Sequence, residues 1–323
     1  MKAKQSTIAG VALIAILGTS SAVAQSVPEP PEGYPDGSIE YVIPFDPGGE
    51  SDVTARFQEP HLEELLGVSV NINHRPGGGG AVAWSEFQNS AEPDGQQIIG
   101  VNIPHIIGQP ILRDNAGYET DGWKIITFFH QTPNALIVHE DSQFETLDDL
   151  VAYAEENPEA VTLAGSGTYS ANHLEALRLE READIDLTYV PATGTGPLPA
   201  MLQGGHVAGL MNYSMLGVRM DDVRVLAVSS EERLEALPDV PTFRELGYDI
   251  VGGAYRGVAA PEGTPDEIVE YLGAVFAAVN DEIAEEQVPL GFNMTDLRGE
   301  EAEAMVTEFR NAYGPILEAV QEE

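Results

Sequence analysis

The sequence predicts an α/β protein of two lobes, on three observations. Short apolar runs of strand length alternate with amphipathic stretches of helix length along most of the chain, an order that builds mainly parallel sheets flanked by helices. Turns rich in glycine, proline and hydroxyl residues follow four of the apolar runs, at 44–49, 102–104, 165–170 and 191–194. The chain of 323 residues is long enough for two cores. Ligands of such sheets bind outside the carboxyl ends of the strands. Two of the four turns lie in the first half of the chain and two in the middle, so two half-sites facing across a cleft is the economical arrangement. The expected division is 25–133 with 254–323 for lobe 1 and 134–253 for lobe 2.

The elements follow in order. Residues 39–43, Ile-Glu-Tyr-Val-Ile, read as the first strand, and Pro44-Phe45-Asp46-Pro47-Gly48-Gly49 separates it from an amphipathic stretch starting at Ser51. Two glycines permit a tight turn with the backbone close to a bound group. The helix then presents free N–H groups and the positive end of its dipole above the strand, an anion site that needs no Lys or Arg. Residues 68–72 read as a strand, the glycines at 77–80 lead into a helix to about Asn89, and 97–101 is a strand ending at Asn102-Ile103-Pro104. The stretch 124–139 is β-rich and interrupted by Pro133-Asn134. Thr146 with Asp149 three residues on starts a helix that Asn157-Pro158 stops.

A second series repeats the alternation. Strand 161–164 leads into Gly165-Ser166-Gly167-Thr168-Tyr169-Ser170 and a helix over 171–182, and strand 187–190 leads into Pro191-Ala192-Thr193-Gly194. A helix from about Gly196 to Gln203, strands at 207–211 and 223–228, and a β-like stretch at 250–260 complete it. Thr264-Pro265-Asp266-Glu267 reads as a capping box with Pro at the first helical position. Its helix sets Ile268, Leu272, Val275 and Val279 on one face. The last helix, from Glu300 to about Tyr313, buries Ala302, Val306 and Phe309 and is kinked or ended by Pro315.

The first 24 residues have the pattern of an export signal cleaved after Ala24: Lys2 and Lys4, an apolar run over 8–17, and Ala22-Val23-Ala24. That run is short for a membrane span, and no later one is longer. The absence of cysteine excludes disulfides and a lipid-bearing cysteine at the cleavage point. A freely diffusing, monomeric periplasmic protein is expected. The formal net charge of −38 becomes −40 once the two lysines of the signal are removed, and Lys124 is then the only lysine left. Such a chain repels nucleic acid and anionic lipid surfaces. An acidic, Lys-poor composition also fits an exported protein of a salt-loving organism.

Several short patterns, in order, carry a family resemblance. They are Pro44-Phe45-x-x-Gly48-Gly49-x-x-Asp52-x-x-Ala55-Arg56, Asn73-x-Arg75-Pro76-Gly77, Pro93-Asp94-Gly95, Gly165-Ser166-Gly167-Thr168-x-Ser170-x-x-His173-Leu174, Val190-Pro191 with Gly194, Gly204-Gly205-His206-Val207, and Ala260-Pro261-x-Gly263-Thr264-Pro265. From Tyr34 to the C-terminus the chain resembles the Bug (TctC-like) substrate-binding proteins of tripartite tricarboxylate transporters. The resemblance implies a type II periplasmic-binding-protein fold, in which two lobes of mixed, mostly parallel sheets flanked by helices close on a small carboxylate and deliver it to a membrane permease.

It also implies the site. Pro44, Phe45, Asp46, Pro47, Gly48 and Gly49, with Asn102, Ile103 and Pro104, would line lobe 1, where backbone groups and waters hold the distal end of the ligand. Gly165, Ser166, Gly167, Thr168 and Ser170, with Pro191, Ala192 and Thr193, would supply N–H groups and hydroxyls to the proximal carboxylate, and Asn212 joins this set. Asp46 and Glu50 depart from the family pattern; both are expected to face solvent as part of the acidic coat, the alternative being that one enters the cleft and changes the choice of ligand. Arg256 is expected in a surface or interlobe ion pair, the alternative being a cation of the pocket. Ala192 and Ala208-Gly209 also depart, which leaves the shape of the ligand open.

Two other classes stand beside this one. An exported hydrolase would use Ser166 or Ser170 as nucleophile, yet no Gly-x-Ser-x-Gly surrounds either. No Gly-Lys-Ser/Thr ends the glycine run, and no His-Glu-x-x-His or calcium-loop pattern occurs, so neither cofactor nor metal is expected. A ligand-sensing subunit of a signalling system would bind the same way and differ only in its partner.

Overall fold

The computed structural model describes residues 27–113 and 115–321; the export signal expected at 1–24 lies outside them. The first unit is β1 (Ile39–Ile43), α1 (Glu50–Leu66), β2 (Val70–His74), α2 (Ala81–Ser90), β3 (Gln97–Ile103) and α3 (His105–Leu112). β4 (Trp123–His139) leads out of it. The second is α4 (Leu147–Glu156), β5 (Thr162–Gly165), α5 (Ala171–Ala183), β6 (Thr188–Pro191), α6 (Leu198–Gln203), β7 (Gly209–Tyr213), α7 (Ser214–Arg219) and β8 (Val223–Val228). β9 (Gly253–Pro261), α8 (Asp266–Gln287), β10 (Asn293–Leu297) and α9 (Gly299–Gln321) return to the first. No described helix is long and apolar enough to cross a membrane.

The strands form one continuous path in the order β2-β1-β3-β9-β4-β7-β5-β6, with β8 and β10 also paired to β4. The parallel pairing expected from strand–helix alternation holds at both ends, where β1 joins β2 and β3, and β5 joins β6 and β7. The middle is antiparallel, because β9 returns from the far half and inserts between β3 and β4, against the direction of both, and β7 and β8 also run against β4. β4 is 17 residues long and spans the two halves: 123–133 pair with β9, and 134–139 with β7 and β8. Pro133-Asn134 therefore does not interrupt it. Pro133 lies opposite Gly253, the first residue of β9, where the ladder needs no further donor from it.

Each half buries its own apolar faces. Ile39, Tyr41, Ile98 and Val258 meet Leu272, Val275, Phe276 and Val279 of α8, while Ile99, Val101 and Phe128 meet Trp84, Phe87, Ala302 and Val306 on the other face. In the second half, Leu136, Val138, Leu163 and Met211 pack on Leu150, Ala154 and Leu179. The expected face of α8 is buried throughout.

Local signals fared unevenly. The Thr146–Asp149 capping box closes as expected, with Thr146 Oγ1 accepting from Asp149 N at 3.2 Å. The one expected at Thr264 does not form: α8 begins after Pro265, and the buried Thr264 hydroxyl has no hydrogen-bond partner. Helix α9 runs on past Pro315, contrary to the expected break. α3, α7 and β10 went unread in the sequence.

Candidate functional site

Turns from both halves of the sheet meet around one small, partly open cavity. Phe45 follows β1, Glu50 and Ser51 open α1, Asn102 is the last residue but one of β3, His105 opens α3, and Arg256 stands on β9 between Asn102 of β3 and His130 of β4. Ser166 follows β5, Thr195 lies between β6 and α6, and Tyr213 ends β7. The space enclosed among them is about 10 Å³, the size of one water site. A larger groove of about 420 Å³ lies elsewhere, beside Lys124 and Arg298. Its cations are engaged with Asp266 and Asp296, and no strand-end turn faces it.

An ion pair dominates the cavity. Arg256 Nη1 lies 2.7 Å from Glu50 Oε1, and each side chain is only 2% exposed. Thr132 Oγ1 donates to the same Glu50 oxygen at 2.5 Å, and Arg256 Nη1 donates to Thr132 Oγ1 at 3.2 Å. The guanidinium stacks over the Tyr213 ring at 4.2 Å from its centroid, so a side chain of the second half closes over a cation of the first. Burial pushes the Glu50 carboxyl upward while Arg256 and Thr132 pull it back. Burial first, and Arg256 second, hold His105 down to about 3, so its ring is neutral. Burial raises the Tyr213 hydroxyl to about 12, against the pull of Arg256. Removing one partner of such a pair strands the other, at a cost of about 3–5 kcal/mol.

This geometry corrects two expectations. Glu50 does not face solvent, because Arg256 draws its carboxylate inward. Arg256 is neither a surface cation nor part of an ion pair between the halves, since Glu50, Thr132 and Arg256 all belong to the β1–β3–β9 side. Asp46 is half-buried and accepts a hydrogen bond from the Thr193 hydroxyl across the cleft.

Of the residues read from the sequence, Phe45, Asn102 and Ser166 line the cavity. The others stand around it, and several have local partners that account for them. Gly48 N donates to Asp52 Oδ2 at 2.8 Å and Glu50 N donates to Thr195 Oγ1 at 3.0 Å, so two N–H groups expected to await an anion are engaged within the protein. Ser166 donates from both N and Oγ to Asn172 Oδ1, at 3.0 and 2.5 Å, and Asn172 donates to Asn134 Oδ1 at 2.9 Å. Ser170 caps α5 by accepting from His173 N at 3.2 Å. Asn212 Oδ1 accepts from Tyr213 N at 2.7 Å. Ile103 is fully buried in the core, Pro104 precedes α3, and Pro44 and Gly165 are buried at the ends of β1 and β5. Pro47, Gly48 and Pro191 are exposed, and Thr168 and Ala192 are half-buried.

The halves touch through glycines. A Cβ on Gly49 would sit 2.9 Å from Thr195 Oγ1 and 3.2 Å from Gly196 N, and one on Gly196 would sit 2.5 Å from Pro47 O. Gly167 faces Gly79 so closely that a Cβ on it would lie 2.6 Å from the Gly79 Cα. Sequence reading missed Ser51, His105, Thr195 and Tyr213 as lining residues and held Arg256 in the pocket only as the alternative. The strand-end rule, extended by one to three residues, reaches His105, Tyr213 and Thr195. Nothing in the sequence links Arg256 to Glu50.

Two lobes joined by shared strands, with strand-end turns converging on a polar cleft, define a solute-binding protein of the periplasmic type. The family described as "TctC: Tripartite tricarboxylate transporter family receptor" matches residues 54–321, and the chain belongs to it. Protein BugT of Bordetella pertussis (strain Tohama I) is 30% identical over 269 residues, covering 80% of this chain and 82% of its own. Two solved structures are similar throughout: MatC of Rhodopseudomonas palustris with bound malate (27% identity, TM-score 0.79, 88% of this chain and 100% of that one) and R. palustris Rpa4515 with adipate (25%, 0.82, 88% and 97%).

Proposed function

We propose that this protein is an exported, periplasmic, monomeric binding protein that captures a small carboxylate between lobes 25–133 plus 254–323 and 134–253, and hands it to the membrane permease of a tripartite tricarboxylate transporter. The observation that carries the reading is the convergence of Asn102, His105 and Arg256 from one half, and Ser166, Thr195 and Tyr213 from the other, on a single cavity. Membership of the receptor family, and the malate and adipate held by two similar proteins, support the chemical class. With only about 10 Å³ enclosed, a carboxylate enters by parting the halves, and closure then excludes water from its hydrogen bonds. No group here is arranged as a nucleophile with its base: Ser166 is bonded to the amide of Asn172, and the His173 ring nitrogen accepts from Tyr169 N.

Thermal unfolding of the purified protein at high salt, against a panel of carboxylates, tests this. A ligand of the cleft raises Tm in step with RT ln(1 + [L]/Kd), without turnover. A panel that leaves Tm unchanged, or a bound acid that is consumed, removes the proposal.

A further inference from the structure

The Glu50–Arg256 pair uses its hydrogen-bonding capacity unevenly. Arg256 Nη1 makes both the ion pair and the bond to Thr132, whereas Nε is buried with no hydrogen-bond partner. A buried N–H of a charged group left unmatched is rare in native folds, because its desolvation is not recovered. Both nitrogens of His105, in the same wall, are unmatched as well. Both residues line the same cavity, so a polar guest entering it comes within reach of unmatched groups.

The charges of that lining limit the guest. Among the described lining residues there is one cation, Arg256, and one anion, Glu50. His105 is neutral, since burial keeps its ring unprotonated. One carboxylate brought to the unmatched Nε of Arg256 finds a charged donor. A second carboxylate inside the cavity finds no second cation and meets the Glu50 anion in the same space, where little water screens the repulsion.

We propose that Arg256 anchors one ligand carboxylate and that Glu50, by cancelling the guanidinium charge, makes the cleft select acids bearing a single carboxylate. This rests on the reading of the cleft as a carboxylate site. It departs from the similar proteins that hold malate and adipate, each a diacid.

The test uses acids matched in carbon number, butyrate against succinate and hexanoate against adipate, titrated calorimetrically into four proteins. These are the wild type, Glu50→Gln, Arg256→Gln, and the double variant Glu50→Gln/Arg256→Gln. The wild type binds the monoacid of a pair more tightly by about tenfold, the worth of one hydrogen bond to a charged group. Glu50→Gln leaves a net positive lining and shifts that ratio toward the diacid by about tenfold or more. Arg256→Gln alone strands a buried carboxylate and is prone to unfold, so the double variant, uncharged and similar in volume, decides the anchor: it folds and loses about tenfold or more in monoacid affinity. A wild type that prefers succinate and adipate, or a double variant with undiminished affinity, overturns the proposal. A wild type that binds neither acid of either pair removes the carboxylate reading itself, and this proposal with it.

Discussion

His130 lies on β4 opposite Arg256, its ring 4.6 Å from that of Phe292 and 5.1 Å from that of Phe129, and neither nitrogen has a hydrogen-bond partner. Burial, then Arg256, hold its pKa well below the ordinary 6.5. The unfolded chain therefore binds a proton below about pH 6.5 that the folded chain refuses. Stability is present in full above that pH and is lost as pH falls, by about 1.4 kcal/mol per unit for one such ring. His130→Phe keeps the packing and removes the proton, so its unfolding free energy between pH 6.5 and 5 should slope less steeply by that amount in urea titrations. An unchanged slope would mean that His130 is already protonated when folded. At this scale the sequence was least informative about charge. Glu50 read as part of an acidic surface and Arg256 as a surface or interlobe ion pair, because their meeting, across 206 residues of chain, depends on β9 returning beside β3.

Turns and helix ends were more legible, where the determining contacts are close in sequence. The Thr146 cap and the strand 39–43 came directly from residues within four of one another. The short helices α3 and α7 did not, since His105–Leu112 and Ser214–Arg219 offer too few turns for a 3.6-residue period to stand out. Nor did the role of the 44–49 turn, whose N–H groups meet Asp52 and Thr195 instead of remaining free. Gly49 now has a specific reason to be glycine. Its φ of −75° and ψ of 170° suit any residue, so the obstacle to a side chain is the facing Thr195–Gly196 segment. Gly49→Val should leave the unfolding free energy of the ligand-free protein, from urea titration, within about 1 kcal/mol of wild type. It should weaken ligand binding by at least about tenfold, because the halves cannot reach the observed contact. Equal losses in both measurements would make the turn a folding element only.

Over the whole molecule, the pattern of alternation was enough to give the fold class. It could not give the antiparallel middle, which depends on long returns rather than local period. Net charge acts at this scale too. A charge of −38 repels an anionic ligand in dilute buffer, whereas the Glu50–Arg256 pair is buried, mutually neutral and little affected by ions. Carboxylate affinity should therefore rise as salt increases from about 0.01 to 1 M, over which the screening length shrinks from about 30 to 3 Å. A steep fall in a calorimetric salt series would instead show unpaired cations drawing the ligand in.

One strand, β4, belongs to both halves, and its partner β9 starts at Gly253, facing Pro133. Gly253 has a φ of +143°, and a Cβ there would lie 2.2 Å from Thr132 O. A side chain at 253 would press on the Thr132 carbonyl and displace the Pro133–Gly253 rung, where β4 leaves its pairing with β9 and takes up β7 and β8. A single small residue thus keeps the seam between the two halves in register.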